Sequence, residues 1–414
     1  MMPSLLCRPF KTLLLAGLTI IAVMAQATEQ QADSIKQGEY IARLAGCASC
    51  HTVDADKIHA GGYELLTPFG SIEAPNITPD IATGIGSWTF DDFWQAMHHG
   101  KGAEGKLLYP AFPYTAYTKM RRTDVQALFA YLQSLPAIQQ ENPDPSFEFP
   151  YNLRAALYVW RAMYFSAGEY QDNAEQSEAW NRGAYLVQGA GHCDECHTTR
   201  NALGAVDQKA FLVGGIIPEQ NWYAPNLSMQ KGGDLEGWTQ KDIVDLLKTG
   251  LSSKGSALGP MADVVRNSTQ YMTDSDVRAV AVYLASLPAP VPSSKTAEIV
   301  KATNSKVGES IYTASCESCH GAEGQGVAGI YPALVNNPTV LEPTGINTLR
   351  SVLWGGFMVS SQSNPEPYSM PPFADALDNT QIAAVVNYIR QSWGNNATAL
   401  KPEAVRVMRH KPIQ

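Results

Sequence analysis

Six of the seven cysteines in this 414-residue chain fall in one local pattern: two thiols separated by two residues, with an imidazole directly after the second. The pattern reads CASCH at Cys47 to His51, CDECH at Cys193 to His197 and CESCH at Cys316 to His320. A disulfide framework ties distant elements together, whereas Cys47, Cys50, Cys193, Cys196, Cys316 and Cys319 are confined to three local pairs. A structural zinc site needs four ligands, and no unit holds another cysteine to complete one. A redox dithiol would use the sulfurs and leave each histidine without a role. Covalent haem uses every residue: the thiols add across two vinyl groups of the porphyrin, and the adjacent imidazole reaches the iron. The expectation is three haem c groups with His51, His197 and His320 as proximal ligands.

The sixth iron ligand decides what such a haem does, because an open iron permits peroxide chemistry and a thioether suits electron transfer. In the third unit SMPPF offers Met370, with Met358 as rival. In the second, GPMADVV offers Met261, with Met272 as alternate. In the first, YPAF has no methionine, leaving Met120 ahead of Met97. Met120 aligns with Met272 when counted back from the following helix, so the first two units leave their choice open. Each proximal imidazole also needs a partner for its other ring nitrogen, and the carbonyls of Pro75, Pro225 and Pro332 lie at suitable distances downstream.

Elements that could hold these residues recur with the motifs. Before each comes a glycine and then an aromatic, in GEYIARLAGC from Gly38, GAYLVQGAGHC from Gly183 and GESIYTASC from Gly308. Late in each unit DVQALFAYLQSLP, DVRAVAVYLASLP and QIAAVVNYIRQSW carry apolar residues at helical spacing, with Tyr131, Tyr283 and Tyr388 at matching places. The glycine would let the first and last helices cross closely against that tyrosine. Pro136 and Pro288 stop two of the last helices.

This repetition sets the expected organisation. Residues 1–27 read as a secretory leader: Arg8 and Lys11, an apolar run from Leu13 to Ala25, and the Ala25-Gln26-Ala27 cleavage signal. Three domains are expected over 28–140, 176–288 and 303–395. They are joined by a linker over 141–175 with an amphipathic segment, in which Leu153, Leu157, Trp160 and Tyr164 share a face, and by a proline-rich linker over 289–302. A basic tail spans 396–414, with a solvated end expected over contact with a membrane. The formal charge of −9 argues against nucleic acid as a partner.

With these motifs, and with NITPDIATGIGSWTFDDFWQAMHHG, LYPAFPYTAYTKM, LEGWTQKDIVDLLKTG and CHGAEGQGVAGIYPAL, nearly the whole mature chain resembles the three-haem cytochrome c subunits of bacterial membrane-bound dehydrogenases. The alcohol, gluconate, sorbitol and fructose dehydrogenases are of this type. The resemblance implies a mainly α fold of three tandem class I cytochrome c-like domains joined by irregular linkers. It implies an electron-transfer subunit, not the substrate-oxidising chain, on the periplasmic side of the bacterial inner membrane with peripheral membrane contact. Its partners would be a flavin- or pyrroloquinoline-quinone-dependent catalytic subunit, a small third subunit and ubiquinone. The competing readings are a multihaem peroxidase with one open iron and a freestanding soluble electron shuttle.

Overall fold

The computed structural model describes residues 29–290, 299–362, 364–365 and 367–411. The expected leader, and most of the proline-rich linker, lie outside the described residues. The first unit contains α1 (29–44), α2 (Cys47–His51), β1 (Glu64–Thr67), β2 (Gly70–Glu73), α3 (Phe90–His99), α4 (Tyr114–Tyr117) and α5 (Arg122–Gln133). A connector follows with β3 (Ser146–Phe147) and α6 (Ala156–Tyr164). The second unit holds α7 (Glu178–Gln188), α8 (Asp194–His197), β4 (Gly215–Ile217), β5 (Trp222–Ala224), α9 (Gln240–Thr249), β6 (Leu251–Ser252), β7 (Gly255–Ser256), α10 (Pro260–Asn267) and α11 (Asp274–Ala285). The third holds α12 (Ser305–Ser315), α13 (Glu317–His320), α14 (Pro338–Leu341), α15 (Ile346–Trp354), β8 (Gly356–Phe357), β9 (Ser369–Met370), α16 (Asn379–Gln391) and α17 (Pro402–Arg409).

Local chemistry starts and stops the central helices in the same way. Thr89 and Asp92 form a reciprocal capping box on α3, and Thr239 and Asp242 repeat it on α9. Gly100 and Gly250 end these two helices in the left-handed conformation. The expected helix crossing is present three times. A Cβ on Gly38 would overlap the Ala127 carbonyl and the Tyr131 side chain; on Gly183, Ala279 and Tyr283; on Gly308, Ala384 and Tyr388. Glycine is therefore required because the backbone of the last helix occupies the space of a side chain.

The first two units share one apolar core, running from Ile41 and Leu128 to Tyr185 and Leu284, whereas the third has its own around Tyr312, Leu353 and Val386. A local twofold relation explains the sharing. Tyr40, two residues after Gly38, donates its hydroxyl to Asp276 Oδ2 at 2.6 Å and accepts the Thr273 amide N–H at 3.1 Å. Tyr185, two residues after Gly183, donates to Asp124 Oδ2 at 2.5 Å and accepts the Arg121 N–H at 3.2 Å. Thr273 and Arg121 are the N-caps of α11 and α5, and both aspartates stand at the third helical position. Each unit thus plants a tyrosine on the N-terminus of the other's last helix, the self-complementary arrangement of a C2 dimer within one chain. In the third unit Ser310 and Gln381 occupy those positions, so it has neither half of the contact.

The third unit docks on the second by a different surface. The Asn347 amide bonds both backbone groups of Tyr223 (2.9 and 2.7 Å), and the Arg350 guanidinium lies 4.9 Å from the Trp222 ring centroid. Ala257 and Val265 of the second unit form a small buried cluster with Val359 of the third.

Two connecting regions differ from the sequence reading. Part of the first linker is not irregular, because β3 adds to β2 as the third strand of a sheet. In α6 only Leu157 is buried; Leu153 precedes the helix and is exposed, and Trp160 ties the helix to the second unit by donating to the Leu203 carbonyl at 2.9 Å. The basic C-terminal segment is not a solvated tail through residue 409. It forms α17, burying Val405 and Met408, while Arg409 donates to the Ala374 and Leu377 carbonyls. Among the described residues no helix is long and apolar enough to cross a membrane.

Candidate haem sites

In each unit the first helix runs into a short helix that carries the second cysteine and the histidine. A one-turn helix brings residues i and i+3 to the same face, so each sulfur pair shares one side. The imidazole orientation is then fixed from a distance. His51 Nδ1 is 2.6 Å from the Pro75 carbonyl oxygen, His197 Nδ1 is 2.7 Å from that of Pro225 and His320 Nδ1 is 3.0 Å from that of Pro332. A carbonyl can only accept, so Nδ1 carries the proton in all three and Nε2 is left as the free lone pair, the state a metal ligand needs. Burial also pulls each of these imidazoles below the ordinary histidine range, with the proline carbonyl acting in the opposite direction.

The residue that makes this geometry possible is a glycine that the motif pattern does not mark. Gly61, Gly214 and Gly326 donate their N–H groups to the carbonyls of His51, His197 and His320 at 2.8, 2.7 and 2.8 Å. All three have positive φ, and a Cβ on any of them would lie within 3 Å of the backbone of Pro75, Pro225 or Pro332. Each glycine therefore holds the histidine by its backbone and lets the proline approach its ring. The spacing from histidine to this glycine differs in every unit, so no fixed interval reveals it.

His59 also escaped the motif pattern. It is 4 % exposed, its Nδ1 has no hydrogen-bond partner, and burial together with neighbouring His51 pushes its pKa down to about 4. In the second unit Leu212 takes the same place, and both residues donate their N–H to the threonine that follows the motif histidine.

Burial works against thiolate chemistry at these cysteines. Burial pushes the Cys47 and Cys193 thiols up to about 12 and those of Cys196 and Cys316 to about 11. A redox dithiol or a zinc ligand needs the opposite shift. All six are unpaired, and among the described residues no group of three or more His, Cys, Asp or Glu could hold a metal ion.

The third unit displays its site as a cavity. About 730 Å³ of space free of protein atoms, part of it open to solvent, is lined by Cys316, His320 and Pro332 together with Met370, Phe373 and Leu377. Its lining is mostly apolar, as in cofactor pockets. Cys316, His320 and Met370 thus line one mostly apolar space. Met370 is placed there by β9, whose residue pairs with Gly356 of β8; Met358 is not in the lining. Met120 is fully buried in the shared core just before α5, and Met272 is buried at the matching place before α11. Met261 stands in the first turn of α10, half-buried against the shared core and the cluster with Val359.

A haem-attachment motif, a proline-held imidazole and a glycine helix crossing, each repeated three times, define a tandem of cytochrome c-like domains. The chain belongs to the cytochrome c family: the family model matches residues 35–136, 181–288 and 305–393. Such domains hold haem c covalently. Over 93 % of its length the chain is 37 % identical to the cytochrome c subunit of a quinone-type alcohol dehydrogenase of Gluconobacter oxydans, covering 84 % of that protein. It is 36 % identical over 94 % of its length to the gluconate 2-dehydrogenase cytochrome c subunit of Pantoea cypripedii (92 % of that chain), and 34 % identical over 96 % to the fructose dehydrogenase cytochrome subunit of Gluconobacter japonicus (87 %).

Proposed function

We propose that this chain is the electron-transfer subunit of a dehydrogenase complex and carries three covalent haem c groups. Cys47 and Cys50, Cys193 and Cys196, and Cys316 and Cys319 attach them. His51, His197 and His320 supply the proximal nitrogens, and Met120, Met261 and Met370 the distal sulfurs. The observation that carries this reading is the threefold hydrogen bond from a motif imidazole to a proline carbonyl, which orients three Nε2 lone pairs alike. A catalytic subunit of the flavin or pyrroloquinoline quinone type supplies the electrons, as the names of the alcohol, gluconate and fructose dehydrogenase relatives support. Ubiquinone accepts them, in keeping with the word quinone in the alcohol dehydrogenase relative's name. Export to the periplasmic side of the inner membrane follows from the leader, and a small third subunit completes the complex.

Haem content decides the count. Mass spectrometry of the purified chain is expected to show three haem additions, with paramagnetic resonance giving three low-spin His/Met signals. Two additions, or a high-spin iron, overturn the assignment of three closed electron-transfer sites.

A further inference from the structure

The cavity of the third unit is not lined by that unit alone. Ser256 and Leu258 of the second unit form part of its wall. The Leu258 side chain packs on β8 at Gly356, where a Cβ would lie 3.5 Å from Leu258 Cδ2, and Gly356 is the β-partner of Met370. Leu258 thus covers the methionine side of the third site. Three residues later in the same segment stands Met261.

The segment between them is held from both sides. Ala257 is 3 % exposed in the cluster with Val265 and Val359, and its N–H bonds the Gly250 carbonyl at 2.8 Å. Gly259 has φ +52 and lies so close to the Trp222 ring that a Cβ would overlap it. Trp222 in turn lies under Arg350 of the third unit. Met261 itself packs on the cluster that contains Val359. The first two units, besides sharing a core, meet where α4 of the first packs on the attachment loop of the second: Thr115 donates to Glu195 between Cys193 and Cys196 at 3.0 Å, and the Tyr117 ring meets His192 edge-on at 5.4 Å.

We propose that Leu258 is a positioning residue for electron transfer between the second and third haems, and that the segment Leu258–Met261 is the bridge joining them on their methionine sides. This rests on Met261 and Met370 being the distal ligands. One electron crosses per event: the donor iron goes from ferrous to ferric and the acceptor from ferric to ferrous, with no bond made or broken and no proton moved. Leu258 acts in two ways. It places packed atoms instead of water in the gap, and it keeps solvent off the third iron, which raises that site's reduction potential relative to an exposed one.

The test uses the full chain with its haems and the variants Leu258→Ala and Leu258→Met. In Leu258→Ala, a spectroelectrochemical titration is expected to show one of three midpoint potentials lowered. Flash-photoreduction kinetics should show inter-haem equilibration slowed several-fold for that haem, and carbon monoxide should bind one ferrous haem more readily. Leu258→Met refills the wall with a side chain of similar volume and should restore all three readouts, which a loss of folding in Leu258→Ala would not explain. Wild-type potentials and equilibration in Leu258→Ala overturn the proposal, as does a change spread over all three haems. Met261→Ala and Met370→Ala separate the underlying ligand reading, since each should remove the iron–sulfur charge-transfer band of one haem. If those bands persist the ligand reading fails; if they vanish while Leu258→Ala is silent, only the bridge fails.

Discussion

Removing one hydroxyl at the contact between the first two units should loosen one helix end and nothing else. In Tyr40→Phe the ring remains while two bonds go, the 2.6 Å donation to Asp276 and the 3.1 Å bond from the Thr273 N–H. Asp276 keeps both oxygens bonded, because Arg182 reaches them at 2.8 and 2.7 Å. Thr273 is exposed, so water replaces the bond to its N–H, and the net loss is that of one hydrogen bond to a charged group, about 1.5–3 kcal/mol, without a stranded carboxylate. At about 1.4 kcal/mol per factor of ten, the first turn of α11 should open roughly 10- to 140-fold more often. Hydrogen exchange of the amides at 273–277 reads this directly. Tyr185→Phe should do the same at the start of α5, with an effect at least as large, since Asp124 has no ion pair among the described residues. The N-terminus of α16, where Ser310 and Gln381 replace the tyrosine and aspartate, serves as the internal control. Unchanged exchange at α11 in Tyr40→Phe refutes the reasoning, and so does an equal rise in all three helices.

Four other outcomes follow from the same geometry. Gly214→Ala places a Cβ within 3 Å of Asn226 N, Ala224 O and Pro225 C at a residue with φ +83, so it should push Pro225 from His197 and destabilise the second unit by more than the about 1–3 kcal/mol of ordinary overpacking; thermal melts and the second haem's spectrum check this. Gly183→Ala should be similarly severe, because its obstacle is the Ala279 backbone, and a wild-type melting profile would contradict the required close crossing. Replacing Cys316 and Cys319 together by Ala should lower the haem count from three to two and leave the third unit's 730 Å³ site unfilled, seen as selective proteolysis beyond residue 303. Acid stability should depend on Asp276. Burial raises its pKa, but bonds from Arg182 and Tyr40 outweigh this and hold the carboxyl below the ordinary aspartate value of 3.8. The folded state therefore binds fewer protons than the unfolded one there. The stabilisation is fully present above that ordinary value and is lost as pH falls through the lower folded one. Asp276→Asn should flatten the melting temperature's dependence on pH in that acid range, and an unchanged slope would count against the contact.

Much of the site was legible because it is local. Cys193, Cys196 and His197 sit within about one helical turn, so their spacing alone points to the chemistry, and recurrence favours haem over zinc or a disulfide. Pro75, Pro225 and Pro332 were legible as partners for the imidazoles because short loops limit which carbonyls can return to the ring. The helix crossing was legible because a glycine and a tyrosine recur in the same order three times, and only a close backbone approach gives glycine a reason to be there. The sequence could also mark candidate methionines, but only the fold of β8 against β9 put Met370, and not Met358, in the wall of the third cavity.

What tertiary structure alone decided depends on residues far apart in the chain. Tyr40 and Asp276 are ordinary helix residues until two helices from different units meet, and nothing in either segment names the other. The same holds for Gly214, whose distance from its histidine varies between units, and for Leu258, which lines a cavity belonging to the next domain. Spacing within a turn or two is set by covalent geometry and can be read directly. Contacts between units are set by which apolar faces find each other, and their partners are selected only when the units pack.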